Sequence, residues 1–201
     1  MKSTVFRALM LGGVLITASC MKESDASKDA NAARTEVASS SSDAKDPVAS
    51  AESAAPASIA HNASIVTVGA DGAMTTVRKG SNDWTCMPDS PATPGPDPMC
   101  FDKNAANWVA AWVGHKPPPP NTVGLMYMLE GGTDASNTDP YAKAPTGGSD
   151  WVKTGPHIMV VGSKDILAGH PSGAAPDTKV PYVMWAGTPY AHLMVPVRDG
   201  A

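Results

Sequence analysis

Regular patterns of hydrophobic and polar positions occur beyond residue 60, and most of them predict β-strands. Residues 64–68 and 74–78 are rich in β-branched side chains and flank an Asp71-Gly72 pair, which predicts a hairpin with a tight turn. Further apolar runs predict a short helix over residues 164–167 and strands over 123–129, 157–161 and 180–185, with 192–197 as a candidate fourth.

One segment has the spacing of a helix. Apolar side chains recur at three- and four-residue intervals over residues 103–113, and Asp102 before them is a helix-capping residue type. Gly114 and a run of prolines follow the segment and would end it. We therefore predict a helix over residues 102–113, in which Trp108 and Trp112 form a broad apolar face that packs on the sheet.

Strands outnumber helices in this pattern, and the connections between them are rich in Gly, Pro and Asp. The intervals between the strands lack the helices that a parallel, doubly wound sheet needs. We expect an α+β fold, with a mainly antiparallel sheet packed by one main helix in a single small domain.

The first twenty residues have the composition of an export signal. Lys2 and Arg7 precede an apolar run over residues 8–16, which is too short to span a bilayer. Residues 17–20 resemble the lipobox of bacterial lipoproteins, although a threonine stands at position 17, where Leu, Val or Ile is usual. Residues 1–19 are therefore predicted to be a lipoprotein signal peptide.

Cleavage at this site would make Cys20 the mature N-terminus, and its lipidation would attach the chain to a membrane. By analogy with other lipoproteins, Met21 rather than Asp at the next position is typical of sorting to the outer membrane in a bacterium with two membranes. We expect an exported, membrane-anchored protein of the bacterial envelope, at the outer membrane or on its periplasmic face.

Composition then separates a tether from a domain. Residues 20–60 consist largely of Ala, Ser, Asp and Lys, contain no aromatic side chain and have too little apolar surface to offset their ordering entropy. They are predicted to be a disordered tether with a reach of roughly 35 Å. Residues 61–201 contain all the tryptophans, tyrosines and histidines and are predicted to be the globular domain.

Two cysteines remain once Cys20 is lipidated. In an oxidising compartment Cys86 and Cys100 are expected to form a disulfide, which would close a loop of about fifteen residues and stabilise the fold by roughly 3 kcal/mol. The proline-rich residues 87–99 suit neither a helix nor a central strand. The wide spacing disfavours the alternative, a redox or metal-binding cysteine pair.

Charge and motifs exclude several classes of function. The net charge of −4 gives no electrostatic footprint for nucleic acid, and no nucleic-acid partner is predicted. The sequence contains no nucleophile elbow, no HExxH, no phosphate loop and no dinucleotide fingerprint. No cofactor follows from the sequence.

Four segments resemble a group of uncharacterised exported bacterial proteins. Their sequences are WTCMPD, PGPDPMC, GGTDASNTDP and GPHIMV, at residues 84–89, 94–100, 131–140 and 155–160. The similarity extends over residues 84–197. No activity is assigned to that group, so the resemblance implies a family without implying a function.

Histidines and methionines stand two residues apart in the predicted strands. The pairs are His157 with Met159, His192 with Met194, and Met126 with Met128. Residues two apart share a face of a strand, and thioether and imidazole groups from neighbouring strands would suit copper, particularly Cu(I). The favoured alternative is that these residues fill the core, as methionine often does.

The polar loop over residues 130–150 carries oxygen ligands at Asp134, Asn137 and Asp139, in a spacing somewhat like that of a calcium site but without the EF-hand register. The favoured alternative is that these side chains hold turns. Tyr141 is a candidate anchor or ligand contact in this loop, since long ordered loops tend to be functional.

Catalysis would need one of three histidines as a general base near neutral pH, with an acidic partner. The candidates are His157, His170 and His192, with Asp134 or Asp165 as the partner. Scattered histidines are usually ordinary polar residues, so whether the protein is an enzyme stays open.

The sequence favours a lipid-anchored envelope protein that binds a small ligand or another envelope protein. The alternatives are a metal- or histidine-dependent hydrolase and a periplasmic copper-binding protein. A buried His/Asp cluster around an open cleft would indicate the enzyme, and a shallow aromatic surface would indicate a binding module.

Overall fold

The fold is built on one large β-sheet, described by a computed structural model over residues 46–145, 147–148 and 150–197. Its strands are β1 (Ser64–Val68), β2 (Met74–Arg78), β3 (Trp84–Met87), β4 (Met99–Asp102), β5 (Gly124–Met128), β6 (Gly132–Ser136), β7 (Trp151–Thr154), β8 (His157–Val161), β9 (Tyr182–Met184) and β10 (His192–Pro196). Eight of them pair in the order β2-β1-β3-β4-β5-β8-β10-β9, and β6 pairs separately with β7. Within these ranges β1 and β3 are parallel and the other pairs are antiparallel.

Helices are few. They are α1 (Pro47–Ser53), α2 (Ala57–Ala60), α3 (Lys103–Val113) and a 3-10 turn at Asp165–Leu167. The predicted α+β fold, with a mainly antiparallel sheet and one main helix in a small domain, is confirmed. None of the helices in the described ranges has the length and apolarity needed to cross a membrane. The predicted signal peptide and Cys20 lie outside the described residues.

The β1–β2 hairpin has the predicted bounds and the predicted turn. Gly72 adopts a positive φ of 79°, which favours glycine, and the Ala73 amide donates to Asp71 Oδ1 at 3.0 Å. Strand β2 forms one edge of the sheet and is largely exposed, with Met74 63 % exposed.

Helix α3 has the predicted cap. Asp102 Oδ1 accepts a hydrogen bond from the Ala105 amide at 2.7 Å, and Oδ2 accepts one from the Leu125 amide of β5 at 3.1 Å. One carboxylate therefore caps the helix and ties its first turn to the sheet. Trp108 is buried in the main core, as expected for the apolar face of the helix.

The two faces of the sheet bury different side chains. Cys100 and Phe101 are neighbours on β4 and point to opposite faces. Phe101 packs in a core of large side chains with α3, whereas Cys100 packs beneath α1 and α2 among alanines. The first core is completed by Val152 of the β6–β7 hairpin. One face of the sheet is therefore covered by α3 and this hairpin, and part of the other by α1 and α2.

The predicted start of the domain near residue 61 is too late, because α1 and α2 belong to the fold. Ala51, Ala54 and Ala60 are fully buried against the sheet. Arg78 of β2 joins this segment to the sheet: its guanidinium donates to the carbonyl oxygens of Ala60 and Ala63 and pairs with Glu52. The fully buried side chains of this segment are small alanines, which pack close to the sheet, whereas its larger Val48 and Ile59 are only partly buried.

Cys86 and Cys100 form the predicted disulfide. They are directly opposite each other on β3 and β4, with their Cα atoms 4.0 Å apart. Both residues are fully buried. The bridge therefore joins two central strands and closes the proline-rich loop between them.

Several strands differ from the predicted pattern. The run at residues 180–185 forms a strand over Tyr182–Met184 alone, because Trp185 takes a positive φ of 56° and turns the chain. The predicted helix at 164–167 is a single 3-10 turn. Strand β6 lies inside the segment that was predicted to be a loop at residues 130–150.

Candidate functional site

The strand register brings the predicted histidine and methionine pairs onto one face of the sheet. Met126, Met159 and Met194 are paired neighbours across β5, β8 and β10. His157 pairs with Met128, two residues to one side of this row. His192 lies two residues to the other side and pairs with Met184 of β9. We call these seven residues the His–Met face: Met126, Met128, His157, Met159, Met184, His192 and Met194.

Most of the His–Met face is covered by the core under α3 and the β6–β7 hairpin. Six of its seven side chains are less than a tenth exposed, and Met159 is half-buried. Core packing, the favoured alternative from the sequence, therefore describes much of this face. The exception is the end nearest the β6–β7 hairpin, where a cavity reaches His157.

This cavity has a volume of about 420 Å³, within the usual range for a small-ligand pocket. His157, Tyr182 and Met194 form its buried wall. Gly131 and Gly132 contribute backbone where side chains would otherwise fill the space. We call it the His157 pocket.

Gly132 shows how closely the pocket wall is packed. A Cβ atom at this position would lie 2.7 Å from Thr154 Oγ1 and 3.4 Å from both His157 Cε1 and Met128 Cε. His157 and Met128 therefore both lie against the Gly132 backbone. The glycine keeps the edge of the imidazole uncovered.

The imidazole of His157 has a fixed orientation. Its Nδ1 lies 2.6 Å from the carbonyl oxygen of Gly155, which can only accept, so Nδ1 carries the proton. Burial lowers the pKa of His157, against the opposing effect of this hydrogen bond. The ring is thus neutral at pH 7, and its Nε2 keeps a lone pair.

Charged side chains of both signs surround the pocket mouth. Glu130, Lys153 and Lys179 are exposed, and Asp134 on β6 is half-buried. Deeper in the pocket, burial raises the pKa of Tyr182 to about 12, so its hydroxyl stays protonated. The pocket thus combines an apolar, uncharged wall with a mixed-charge rim.

His192 lies at the closed end of the His–Met face, away from solvent. Its ring makes edge contacts with Trp108 and Trp185, at centroid distances of 5.3 and 4.9 Å. Its Nδ1 lies 2.9 Å from the Tyr190 carbonyl oxygen, and its buried Nε2 has no hydrogen-bond partner among the described residues. The pKa of His192 is lowered to about 4, mainly because the ring is buried; the Tyr190 hydrogen bond opposes this shift and nearby His157 adds to it.

The acidic partners predicted for catalysis are not joined to these histidines. Both buried imidazoles donate from Nδ1 to backbone carbonyls, and within the described residues no hydrogen bond links His157 to Asp134, although both line the pocket. His170 and Asp165 lie elsewhere and line a second, more open cavity of about 610 Å³. The structure therefore brings His157 and Asp134 to one pocket without forming a His–Asp pair.

The oxygen ligands proposed for calcium are separated by their own contacts. Asn137 is buried and donates from Nδ2 to the Gly173 carbonyl, and Asp139 accepts from the Tyr141 amide. Within the described ranges, histidine, cysteine and acidic side chains form no group of three that could hold a metal ion. These contacts favour the alternative, in which such side chains hold turns.

An aromatic cluster surrounds the C-terminal half of α3. Trp108 stacks on Trp185 at 6.1 Å, and Trp112 contacts the same ring at 5.1 Å. At the surface, His115 stacks on the exposed Tyr141 at 4.1 Å, and the Tyr141 hydroxyl donates to the Trp112 carbonyl. Tyr141 is therefore anchored to α3, one of the two roles considered for it.

Sequence reasoning missed several residues of the His157 pocket. Lys153 and Thr154 belong to β7, a strand that was not predicted, and the predicted strand at residues 180–185 did not indicate that Tyr182 lines a pocket. The Gly131-Gly132 pair was a usable signal, because adjacent glycines before a polar strand often mark close approach of backbone.

The chain was also compared with known proteins. Family models, curated proteins and solved structures gave no match to this chain. The resemblance of residues 84–197 to exported bacterial proteins therefore stays a prediction.

Proposed function

We propose that this chain is an exported envelope protein, anchored to a membrane through lipidated Cys20, whose domain binds a small ligand in the His157 pocket. The observation that carries the binding role is the buried His157 ring, fixed through Nδ1, in the wall of a 420 Å³ cavity. A fixed acceptor in an apolar wall is typical of ligand pockets.

Two features support export. The buried Cys86–Cys100 disulfide suits an oxidising compartment, and the basic and apolar residues before Cys20 have the pattern of a lipoprotein signal. Replacing Cys20 with Ala should move the protein from the membrane fraction to the soluble periplasmic fraction. A Cys20→Ala protein that stays with the membrane would contradict lipid anchoring.

Binding is favoured over catalysis because His157 faces the pocket without a carboxylate on its Nδ1. The Nε2 atom of His157 is a hydrogen-bond acceptor, and it can orient a ligand that donates an N–H or O–H group. The rim suits a small polar molecule with charges of either sign, since lysines and carboxylates stand on the same mouth. The aromatic surface at His115 and Tyr141 is the place where a larger partner would be sought.

Methionine methyl NMR on the intact Cys20→Ser chain tests the pocket. Pools of amino acids, sugars and dicarboxylates are added, and we expect one pool to shift the methyl resonance of Met194. Gly132→Ala should abolish this shift, because the added Cβ crowds Thr154 and His157. Gly173→Ala is the control, since a Cβ there meets nothing within 4 Å. Shifts that persist in Gly132→Ala, or that fall only on residues outside the pocket, would contradict the proposal.

A further inference from the structure

We propose that the His157 pocket binds a single Cu(I) ion through His157 Nε2 and the thioether sulfurs of Met128 and Met194. This inference rests on the proposed binding role of the pocket and names its ligand. It is carried by the strand register, the fixed imidazole and the kind of donor atoms that surround it.

The register places two methionines beside His157. Met128 is its direct partner on β5, and the Met128 methyl group and the imidazole edge both lie against Gly132. Met194 is the diagonal neighbour on β10, a position from which a long side chain reaches the same point. Met194 also lines the cavity with His157, so the two donors share one space.

The imidazole of His157 has the hydrogen-bonding arrangement that is usual for a metal-binding histidine. A hydrogen bond from Nδ1 to a backbone carbonyl fixes the tautomer and aims the Nε2 lone pair, which is the usual outer contact of a histidine ligand. Within the described residues, Nε2 of His157 makes no hydrogen bond of its own. The lone pair is therefore available to a ligand that enters through the pocket.

The donor atoms select the ion. Thioether sulfur and imidazole nitrogen are soft or borderline ligands, which favour Cu(I) over calcium, magnesium or manganese. All three donors are neutral, and burying a single positive charge beside them costs less than burying a double charge. The charged groups stay at the rim, where Glu130 and Asp134 balance Lys153 and Lys179, so the rim has no net positive charge to repel a cation.

His192 is outside this site. It is separated from His157 by the row that holds Met159 and Met194, and its ring is enclosed by Trp108 and Trp185. Its partner Met184 gives a matched control, because Met184 is buried on the same His–Met face but is paired with His192, at the end away from His157.

The experiment uses the full chain with Cys20→Ser, so that no free thiol competes, and without an affinity tag. Cu(I) is supplied anaerobically as its complex with bicinchoninate, and transfer to the protein is followed by the loss of the coloured complex. We expect one equivalent to transfer. Met128→Leu and Met194→Leu keep the volume of the side chain and should weaken binding roughly tenfold or more. Met184→Leu should leave it unchanged.

Three results would overturn the proposal. The first is a folded wild-type chain that takes no Cu(I) from bicinchoninate, and the second is equal binding by all three leucine variants. The third is X-ray absorption of the loaded protein that lacks sulfur scattering. Far-UV circular dichroism confirms that each variant is folded. The protein could take up no Cu(I) while an organic pool still shifts the methyl resonance of Met194 in wild type and not in Gly132→Ala. In that case the pocket binds another ligand, and the proposed function stands.

Discussion

Gly124 on β5 and Ala105 on α3 are in direct backbone contact. A Cβ atom at Gly124 would lie 2.3 Å from the Ala105 nitrogen and 2.7 Å from its Cα. The helix therefore crosses the sheet at a position where a side chain has no room, and the cap of Asp102 holds it there.

Gly124→Ala should destabilise the protein by about 2 kcal/mol or more, because α3 has to move away from β5 and its caps loosen. Urea unfolding of wild type and variant gives the difference. Gly173→Ala is the control and should stay within about 0.5 kcal/mol of wild type. Equal stability of Gly124→Ala and Gly173→Ala would show that the helix does not pack as described.

Arg78→Lys should loosen α1 and α2 from the sheet. A lysine cannot donate at once to Ala60, Ala63 and Glu52, as the planar guanidinium does. Hydrogen exchange should accelerate at the amides of residues 50–60, with little change in α3. Lys79→Arg is the control, since Lys79 is exposed directly after the end of β2. Unchanged exchange in Arg78→Lys would contradict this role.

Removing the disulfide should weaken the fold without changing its topology. In the Cys20→Ser background, Cys86→Ala with Cys100→Ala should lower the free energy of unfolding by roughly 2–4 kcal/mol, because the loop between β3 and β4 is no longer closed. Urea unfolding of the Cys20→Ser protein with and without reductant compares the free energy of unfolding when the Cys86–Cys100 bridge is absent and when it is present. Thiol counting on the denatured, unreduced Cys20→Ser protein, which keeps Cys86 and Cys100, should find no free thiol. Two reactive thiols would refute the bridge.

Stability should fall as the pH drops from 6.5 towards 4. The pKa of His192 is about 4 in the folded protein and 6.5 unfolded, so below pH 6.5 the unfolded chain binds a proton that the folded chain excludes. The contribution is fully present above pH 6.5 and is lost towards pH 4, on the order of 3 kcal/mol for this group.

Urea unfolding at pH 7.5 and pH 5.0 measures this loss. His192→Gln should reduce the difference between the two pH values, since glutamine does not titrate. His61→Gln is the control, because His61 is exposed. A pH dependence that is the same in His192→Gln and wild type would exclude His192 as its source.

Parts of the fold with local signals could be predicted from the sequence. The hairpin around Asp71-Gly72 and the helix after Asp102 depend on contacts within a few residues, and the structure has both. Strands β8 and β10 are apolar runs with nearly the predicted bounds. Helix α1 was missed because its buried face consists of alanine and serine, which composition alone assigns to a tether.

The candidate site was predictable only in part. Two-residue spacing placed His157 with Met159 and His192 with Met194, but spacing cannot tell which strands are neighbours. The register that pairs His157 with Met128 follows from the whole sheet. For the same reason the sequence could not separate His157, which reaches a pocket, from His192, which is enclosed by tryptophans.

The burial of Met126 and Met184 on the His–Met face also protects their sulfur atoms from oxidants. Conversion of a core methionine to the sulfoxide would put a strongly polar group between packed strands and disrupt them. Six of the seven residues on this face are less than a tenth exposed, whereas Met74 on the edge strand is 63 % exposed. Peroxide should therefore oxidise Met74 long before the buried methionines, and the protein should stay folded after Met74 is oxidised.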